Sequence, residues 1–249
     1  MRIRIFLFLS VLFVILTSCT SMKSFEHWPT SEIDRPYTLP DKIDSWQSEL
    51  NGTIKLTGNG LKVNDTEYSV FNWSQSLSDN WELEWSPLPL SFKHQLYYNN
   101  IGYFGFEFGV VPLYSTSEGW GIFPVIEISI LQKIEKLFAC KITGNSSFFI
   151  PFNGTSIKYL GQIEPEAIIK IDNLQSLALG ISAIYTNFYD LGNFSVVGVD
   201  SMPNTNMNLS IGGHYLISLG RHCDFTIKLS DYLINNNGLN ASINIVNYW

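Results

Sequence analysis

Apolar and polar residues alternate with a period of two along most of the chain. In the clearest stretch, residues 207–218, apolar side chains fill the odd positions and small or polar ones fill most of the even positions. The same alternation occurs in residues 104–110, 122–130, 177–183 and 224–230. Successive side chains of a β-strand point to opposite sides of the sheet, so this pattern predicts strands with one apolar and one polar face. We find no comparable helical periodicity.

The alternation and the intervening turn residues predict twelve strands. They lie near residues 46–57, 66–77, 80–86, 89–97, 101–112, 121–131, 135–143, 157–171, 174–186, 205–218, 222–231 and 239–249. An even number places the two ends of the domain on the same side of the sheet. Because the first four strands are less well defined, ten strands are the alternative.

Strand length and loop rhythm distinguish two environments for such a sheet. Several strands reach about 10 residues, which suits tilted membrane strands of roughly 9–11 residues better than soluble strands of about 5–6. Short connections near 78–80, 98–100, 132–134, 172–173 and 219–221 alternate with longer ones near 58–65, 113–120, 144–156, 187–204 and 232–238; the tight 86–88 connection is the exception. This rhythm predicts a closed antiparallel up-and-down transmembrane β-barrel.

Aromatic residues near the predicted strand ends are typical of the girdles at the two membrane interfaces. The alternative is that they belong to an ordinary core. The candidates are Trp81, Trp85, Tyr97, Tyr98, Tyr103, Tyr185, Tyr248 and Trp249.

The N-terminal segment has the layout of an export signal. Arg2 and Arg4 precede a short apolar run that is followed by Leu16-Thr17-Ser18-Cys19. This motif resembles the lipobox of bacterial lipoproteins, which implies cleavage after residue 18 and attachment of acyl groups such as palmitate to Cys19. We therefore expect a signal peptide over 1–18, a lipid-anchored periplasmic linker over 19–45 and a barrel domain over 46–249.

The last strand carries a second resemblance. Residues 243–249 alternate and end in Tyr248-Trp249, which is similar to the C-terminal signal of bacterial barrels, although Asn247 stands where an apolar residue would be expected. The resemblance implies the bacterial outer membrane as the location, with membrane lipid and the outer-membrane assembly machinery as partners. The overall pattern resembles that of small uncharacterised barrel proteins.

Charge and cysteine content narrow the functional classes. Loss of residues 1–18, with two arginines and no acid, would take the net charge from −7 to −9. An acidic chain without a basic cluster argues against nucleic acid as a partner. No motif indicates a cofactor or a metal site. Cys140 and Cys223 could pair in an oxidising compartment, but their positions favour small apolar side chains that face lipid.

The polar faces supply the candidate site. On the predicted register the inward-facing residues include Glu82, Glu84 and Lys93, and above all Glu107, Glu127, Lys141, Glu164, Glu166, Lys170, His214, Asp224 and Lys228. These residues predict either a charged network that closes a narrow lumen or a small pore. Because acids outnumber lysines, a pore would weakly prefer cations. The sequence does not indicate which solute would pass.

Two other functions remain as alternatives. A lipid-anchored soluble barrel or sandwich in the periplasm, binding a ligand or partner, would turn the same apolar faces into a core. A barrel hydrolase would need a serine or aspartate beside a histidine, and His27, His94, His214 and His222 belong to no catalytic motif that we recognise, so catalytic residues are not predicted.

Overall fold

A computed structural model describes residues 31–39, 43–57, 60–85, 90–115, 119–153, 157–186, 207–219, 223–233 and 239–248. Twelve antiparallel strands in these ranges form one closed barrel, in which each strand pairs with its sequence neighbours and the first pairs with the last. The strands are β1 (Asp44–Thr57), β2 (Gly60–Ser78), β3 (Trp81–Trp85), β4 (Leu90–Asn99), β5 (Gly102–Ser115), β6 (Gly119–Glu135), β7 (Phe138–Pro151), β8 (Lys158–Lys170), β9 (Gln175–Thr186), β10 (Met207–Ser218), β11 (Cys223–Tyr232) and β12 (Leu239–Tyr248).

The predicted fold class is confirmed, and the described barrel has twelve strands rather than ten. The longer connections are shorter than the sequence predicts, because residues 60–65 and 144–151 continue β2 and β7. Residues 144–147 are Gly-Asn-Ser-Ser, a sequence typical of a turn, yet all four pair with both β6 and β8. Pairing on both sides outweighs the low strand propensity of these residues.

The short connections define one end of the barrel, which we call the turn end. The chain also begins β1 and ends β12 there, since Ser45 pairs with Tyr248. At one of these turns Gly102 has a φ of +144°, and a Cβ at that position would lie 1.9 Å from the carbonyl oxygen of Leu131. A side chain is therefore excluded at this turn. The opposite end, with the longer connections, is the loop end.

The apolar faces of the strands point away from the barrel axis. Phe108, Ile211 and Ile227 are 46%, 50% and 38% exposed, whereas Lys93 on an alternate face forms ion pairs inside the barrel. Apolar side chains outside and charged side chains inside are the arrangement of a membrane barrel. This orientation contradicts the alternative of a soluble barrel with an apolar interior.

The predicted aromatic girdle is only partly present. Trp81, Trp85 and Tyr185 lie exposed on the barrel, but Tyr103 and Tyr248 are buried inside it. Their inward position is a correction to the prediction. It follows from the hydroxyl groups, which have polar partners in the lumen that lipid would not supply: Ser129 for Tyr103, and Asp224 for Tyr248.

Residues 31–39 of the predicted linker lie inside the barrel. They contain a 3₁₀ turn, Glu32–Asp34, and contact strands on opposite sides of the lumen near the turn end. We call these nine residues the plug. The sequence left open whether the linker enters the lumen, because this segment has no periodic pattern.

Cys140 and Cys223 are both free, so the described structure does not contain the disulfide considered from the sequence. Among the helical residues described, none forms a span long and apolar enough to cross a membrane. The signal peptide, Cys19, the 86–88 connection, the loop at 187–204, His27, His222 and Trp249 lie outside the described residues.

Candidate functional site

The plug is anchored first by an apolar contact. Ile33 is 1% exposed and packs against Tyr103, Leu131, Ala139, Ile168 and Ala178, which point inward from five successive strands. Full burial of an isoleucine side chain contributes about 1.5–3 kcal/mol. The patch makes this part of the lumen wall complementary to an apolar side chain, although the wall around it is polar.

Arg35 provides the second anchor, on the part of the wall formed by β10–β12. Its guanidinium binds both carboxylate oxygens of Asp224 and donates to the hydroxyl of Ser218 at 3.1 Å. Tyr248 also donates its hydroxyl to Asp224, at 2.7 Å. Burial alone would lower the pKa of Arg35, but Tyr248 and Asp224 outweigh it and raise the pKa above its ordinary range. Arg35 is therefore a charged partner of Asp224 at neutral pH.

Glu32, in the 3₁₀ turn, contacts a lysine and a histidine of the wall. Glu32 accepts from Lys141 at 3.3 Å and lies 2.7 Å from Nε2 of His214. Burial would raise the pKa of Glu32, yet Lys141 and His214 outweigh it and hold that pKa well below its usual range. The positive charge beside Glu32 therefore offsets the cost of burying its carboxylate.

Asp34 lies nearer the rim, between Lys170 at 2.8 Å and Lys133 at 3.0 Å. Burial opposes ionisation here too, but hydrogen bonds from Lys170, Ser31 and Lys133 lower the pKa of Asp34 to about 2. These contacts tie the plug to β6 and β8.

The second half of the plug runs to the wall formed by β3–β6. The backbone N–H of Tyr37 donates to Gln95 at 2.7 Å, and that of Leu39 donates to Glu82 at 2.8 Å. The ring of Tyr37 lies over Gly105, where an added Cβ would be 2.1 Å from Cδ1 of the ring. The plug therefore spans the lumen from β8 and β11 to β3 and β5.

A cavity of about 380 Å³ lies beside the plug. Glu32, Arg35, Pro36 and Tyr37 contribute to its lining from the plug, and the wall contributes Tyr103, Glu127, Ser129, Lys141, Thr143, Glu164, Glu166, His214 and Lys228. Lys228 is half-exposed there and lies 3.4 Å from Glu164. The cavity thus combines charged groups of both signs with two tyrosine rings.

One wall of the lumen has an excess of carboxylates. Lys93 on β4 lies 2.5 Å from Glu84, 3.8 Å from Glu82 and 4.0 Å from Glu107. Glu127 follows on β6, directly opposite Glu107 in the strand ladder. We call these four glutamates the acidic wall. A single lysine faces these four glutamates, so acidic side chains outnumber basic ones along this side.

The structure brings most of the predicted lumen residues into one network. Glu127, Lys141, Glu164, Glu166, His214 and Lys228 line the cavity, with His214 3.4 Å from Glu166. Lys170 and Asp224 lie nearer the turn end and bind the plug, and Glu107 lies beside Lys93. Lys141 and His214 belong to both the cavity and the plug site, because they line the cavity and also bind Glu32 of the plug.

Sequence reasoning missed the plug's own contribution, namely Glu32, Ile33, Arg35 and Tyr37. One signal was present in the strands. Leu131, Ile168 and Ala178 are apolar, yet they fall on the inward face of the alternating pattern. Apolar residues on a face that is otherwise polar indicate that another part of the chain covers them.

Metal ligands and histidines in the described residues bear on whether the barrel holds a metal ion or a catalytic site. No group of three or more His, Cys, Asp or Glu side chains there is placed to hold a metal ion. His214 contacts Glu32 and Glu166. His94 points outward, stacks on Trp81 at a centroid distance of 4.0 Å and contacts the carbonyl oxygen of Asn80. Within the described part of the chain, no hydrogen bond joins either histidine to a serine side chain.

Comparisons with known proteins agree with the barrel. No protein-family model matches the chain, and no curated protein sequence matches it. An outer membrane channel from Pseudomonas putida F1 superposes with a TM-score of 0.56 at 9% identity, over 91% of this chain and 100% of the channel. The NanC porin superposes with a TM-score of 0.49 at 9% identity, over 82% of this chain and 99% of the porin. At 9% identity, the superposition on the Pseudomonas putida channel shows that this chain shares the fold of that protein.

Proposed function

We propose that this protein is a porin-like, lipid-anchored barrel of the outer membrane, whose lumen is closed at the turn end by its own plug. The observation that carries the proposal is the position of residues 31–39, which bind Lys170 and Asp224 on one side and Glu82 on the other. A segment fixed on opposite walls obstructs the lumen between them. The cavity beside it would then be a vestibule for solutes.

The outer surface supports the membrane location. Exposed apolar side chains occur on strands around the whole described barrel, for example Trp85, Phe108, Ile128, Leu179 and Ile211. A soluble monomer rarely exposes apolar patches beyond a few hundred Å². Lipid is the solvent that accommodates such a surface, and a closed barrel leaves no unpaired strand edge in it.

The lipid anchor would fix the orientation of the barrel. If Cys19 is acylated in the inner leaflet of the outer membrane, residues 20–30 connect it to the plug. Eleven residues reach at most about 36–40 Å when extended. The turn end, where the plug enters, would therefore face the periplasm. Metabolic labelling with a palmitate analogue tests this point, since Cys19→Ser should abolish incorporation and wild type should retain it.

The acidic wall supports a preference for cations. Four glutamates with one lysine give an excess of negative charge along the lumen, which attracts cations and repels anions. A barrel that never opens is the competing outcome, because the same ion pairs would serve a purely structural role.

Planar-bilayer recording of the full chain distinguishes the two. We expect low conductance for wild type, and cation-selective conductance for a variant in which Glu32→Gln, Asp34→Asn and Arg35→Gln remove the plug's charged anchors. Glu135→Gln, Lys136→Gln and Asp172→Asn, at the turn end but outside these anchors, form the matched control and should behave as wild type. Low conductance in all three proteins would contradict the channel function.

A further inference from the structure

Glu127 has an unusual position in the cavity beside the plug. Among the described residues its carboxylate has one hydrogen-bonding partner, the hydroxyl of Tyr37 at 3.3 Å, and no lysine, arginine or histidine lies within ion-pair distance. The other cavity carboxylates are matched: Glu164 with Lys228, and Glu32 and Glu166 with Lys141 and His214. Glu127 is therefore the cavity's uncompensated negative charge.

Aromatic and hydroxyl groups surround this carboxylate. The rings of Tyr37 and Tyr103 lie 5.6 Å apart and both line the cavity. Ser129, two residues from Glu127 on β6, lies 3.4 Å from the Tyr103 hydroxyl and 3.5 Å from that of Thr143. An ammonium group needs an anionic partner, several hydrogen-bond acceptors and, where available, an aromatic face. The residues around Glu127 supply all three.

We propose that this cavity binds a small primary amine in its ammonium form, with Glu127 as its counter-ion. The assignment rests on the proposed function in that the amine would be a solute of the channel. The cavity volume of about 380 Å³ is near the lower end of the roughly 300–1,000 Å³ that ligand pockets span, which favours a small molecule. The neighbouring Glu107 and the rest of the acidic wall would repel a carboxylate of the same size.

Binding can be measured on the full chain in detergent, with the plug in place. Isothermal titration calorimetry at low salt would compare n-butylammonium with butyrate, which has a similar chain and the opposite charge. We expect saturable binding of butylammonium and none of butyrate. Tetramethylammonium, which offers no N–H group to Glu127 or Ser129, should bind more weakly than butylammonium.

Two variants separate binding from a merely structural role of Glu127. Glu127→Gln should weaken the binding of butylammonium about tenfold or more, since it removes a charge-assisted hydrogen bond. Glu49→Gln, which neutralises an acid outside the cavity lining, is the charge-matched control and should bind as wild type.

Equal binding of butylammonium and butyrate, no saturable binding, or unchanged affinity in Glu127→Gln would overturn the assignment. The comparison of the two probes uses wild type alone, so it holds even if a variant does not fold. Conductance is not involved in this measurement. A barrel that binds butylammonium but does not conduct would refute the channel function and support the binding site. A barrel that conducts but does not bind butylammonium would refute only the binding site.

Discussion

The guanidinium of Arg35 binds both carboxylate oxygens of Asp224, although 189 residues separate the two along the chain. Arg35 precedes β1, and Asp224 is the second residue of β11. The carboxylate also accepts from the hydroxyls of Ser218 and Tyr248, on the strands that flank β11. The plug is thus bound to the part of the wall beside the β1–β12 pairing that closes the barrel.

Ile33 should determine how often the plug leaves its site. Ile33→Ala removes a fully buried side chain, which costs about 2–5 kcal/mol in comparable positions. We expect cleavage by a glutamate-specific protease after Glu32 to accelerate more than tenfold in the folded protein. Ile134→Ala, at an exposed apolar position near the same end, is the control and should leave the rate unchanged. Equal rates in both variants would show that Ile33 does not hold the plug.

Gly105 offers a steric test that removes no polar contact. In Gly105→Ala the new Cβ would lie 2.1 Å from the Tyr37 ring, which must move. We expect faster protease cleavage of the plug, whereas Gly144→Ala, whose Cβ would meet nothing within 4 Å, should behave as wild type. In a Tyr37→Ala background the Gly105 substitution should have no further effect. An effect that persists there would place its cause elsewhere in the barrel.

The plug should respond to acid in a defined window. The pKa of Asp34 falls from its usual 3.8 to about 2 in the folded protein, and that of Glu32 is also lowered. A carboxylate with a lowered pKa stabilises the bound plug fully when the pH is above the pKa of the unfolded state. This stabilisation is lost as the pH falls through the pKa of the folded state. Conductance should therefore stay low from pH 7 to about 4 and rise between about pH 4 and 2.

Asp34→Asn is the control for this titration, because it removes the ionisable group that faces Lys133 and Lys170. Its conductance should change less over the same window. A rise in wild-type conductance that is complete above pH 5 would contradict the role assigned to these carboxylates.

Two adjacent residues of β11 test the membrane-facing surface. Ile227 is exposed on the outside, and Thr226 lies between the inward-facing Asp224 and Lys228. A lysine on the lipid face costs about 2–4 kcal/mol near the bilayer midplane. Ile227→Lys should therefore lower the free energy of unfolding from lipid vesicles by several times more than Thr226→Lys. A larger loss for Thr226→Lys would reverse the assigned faces.

The strands were predictable because their pattern is periodic and local. Each inward glutamate or lysine, such as Glu107 or Lys141, lies one position from an apolar neighbour, so alternation alone assigns it to the lumen. Strand ends were less predictable. Asn145 and Ser146 have low strand propensity, and only pairing with β6 and β8 keeps them extended.

The plug was not predictable from its own residues. Glu32, Ile33, Asp34 and Arg35 form one short turn without periodicity, and the partners that hold them lie between 64 and 213 residues away. For this reason the sequence indicated charged residues in the lumen but not which of them bind the plug. Tyr248 shows the same limit. An aromatic residue near a strand end predicts a girdle position, but its partners Asp224 and Arg35 lie 24 and 213 residues away.

The central claim is that the barrel's own N-terminal segment closes it through Arg35 and Asp224. Single-channel recording of a charge swap tests this most directly. Arg35→Asp and Asp224→Arg should each raise the conductance of the full chain, since like charges then face each other. The double variant restores an opposite-charge pair and should return to the low conductance of wild type. Equal conductance in all four proteins would contradict the account.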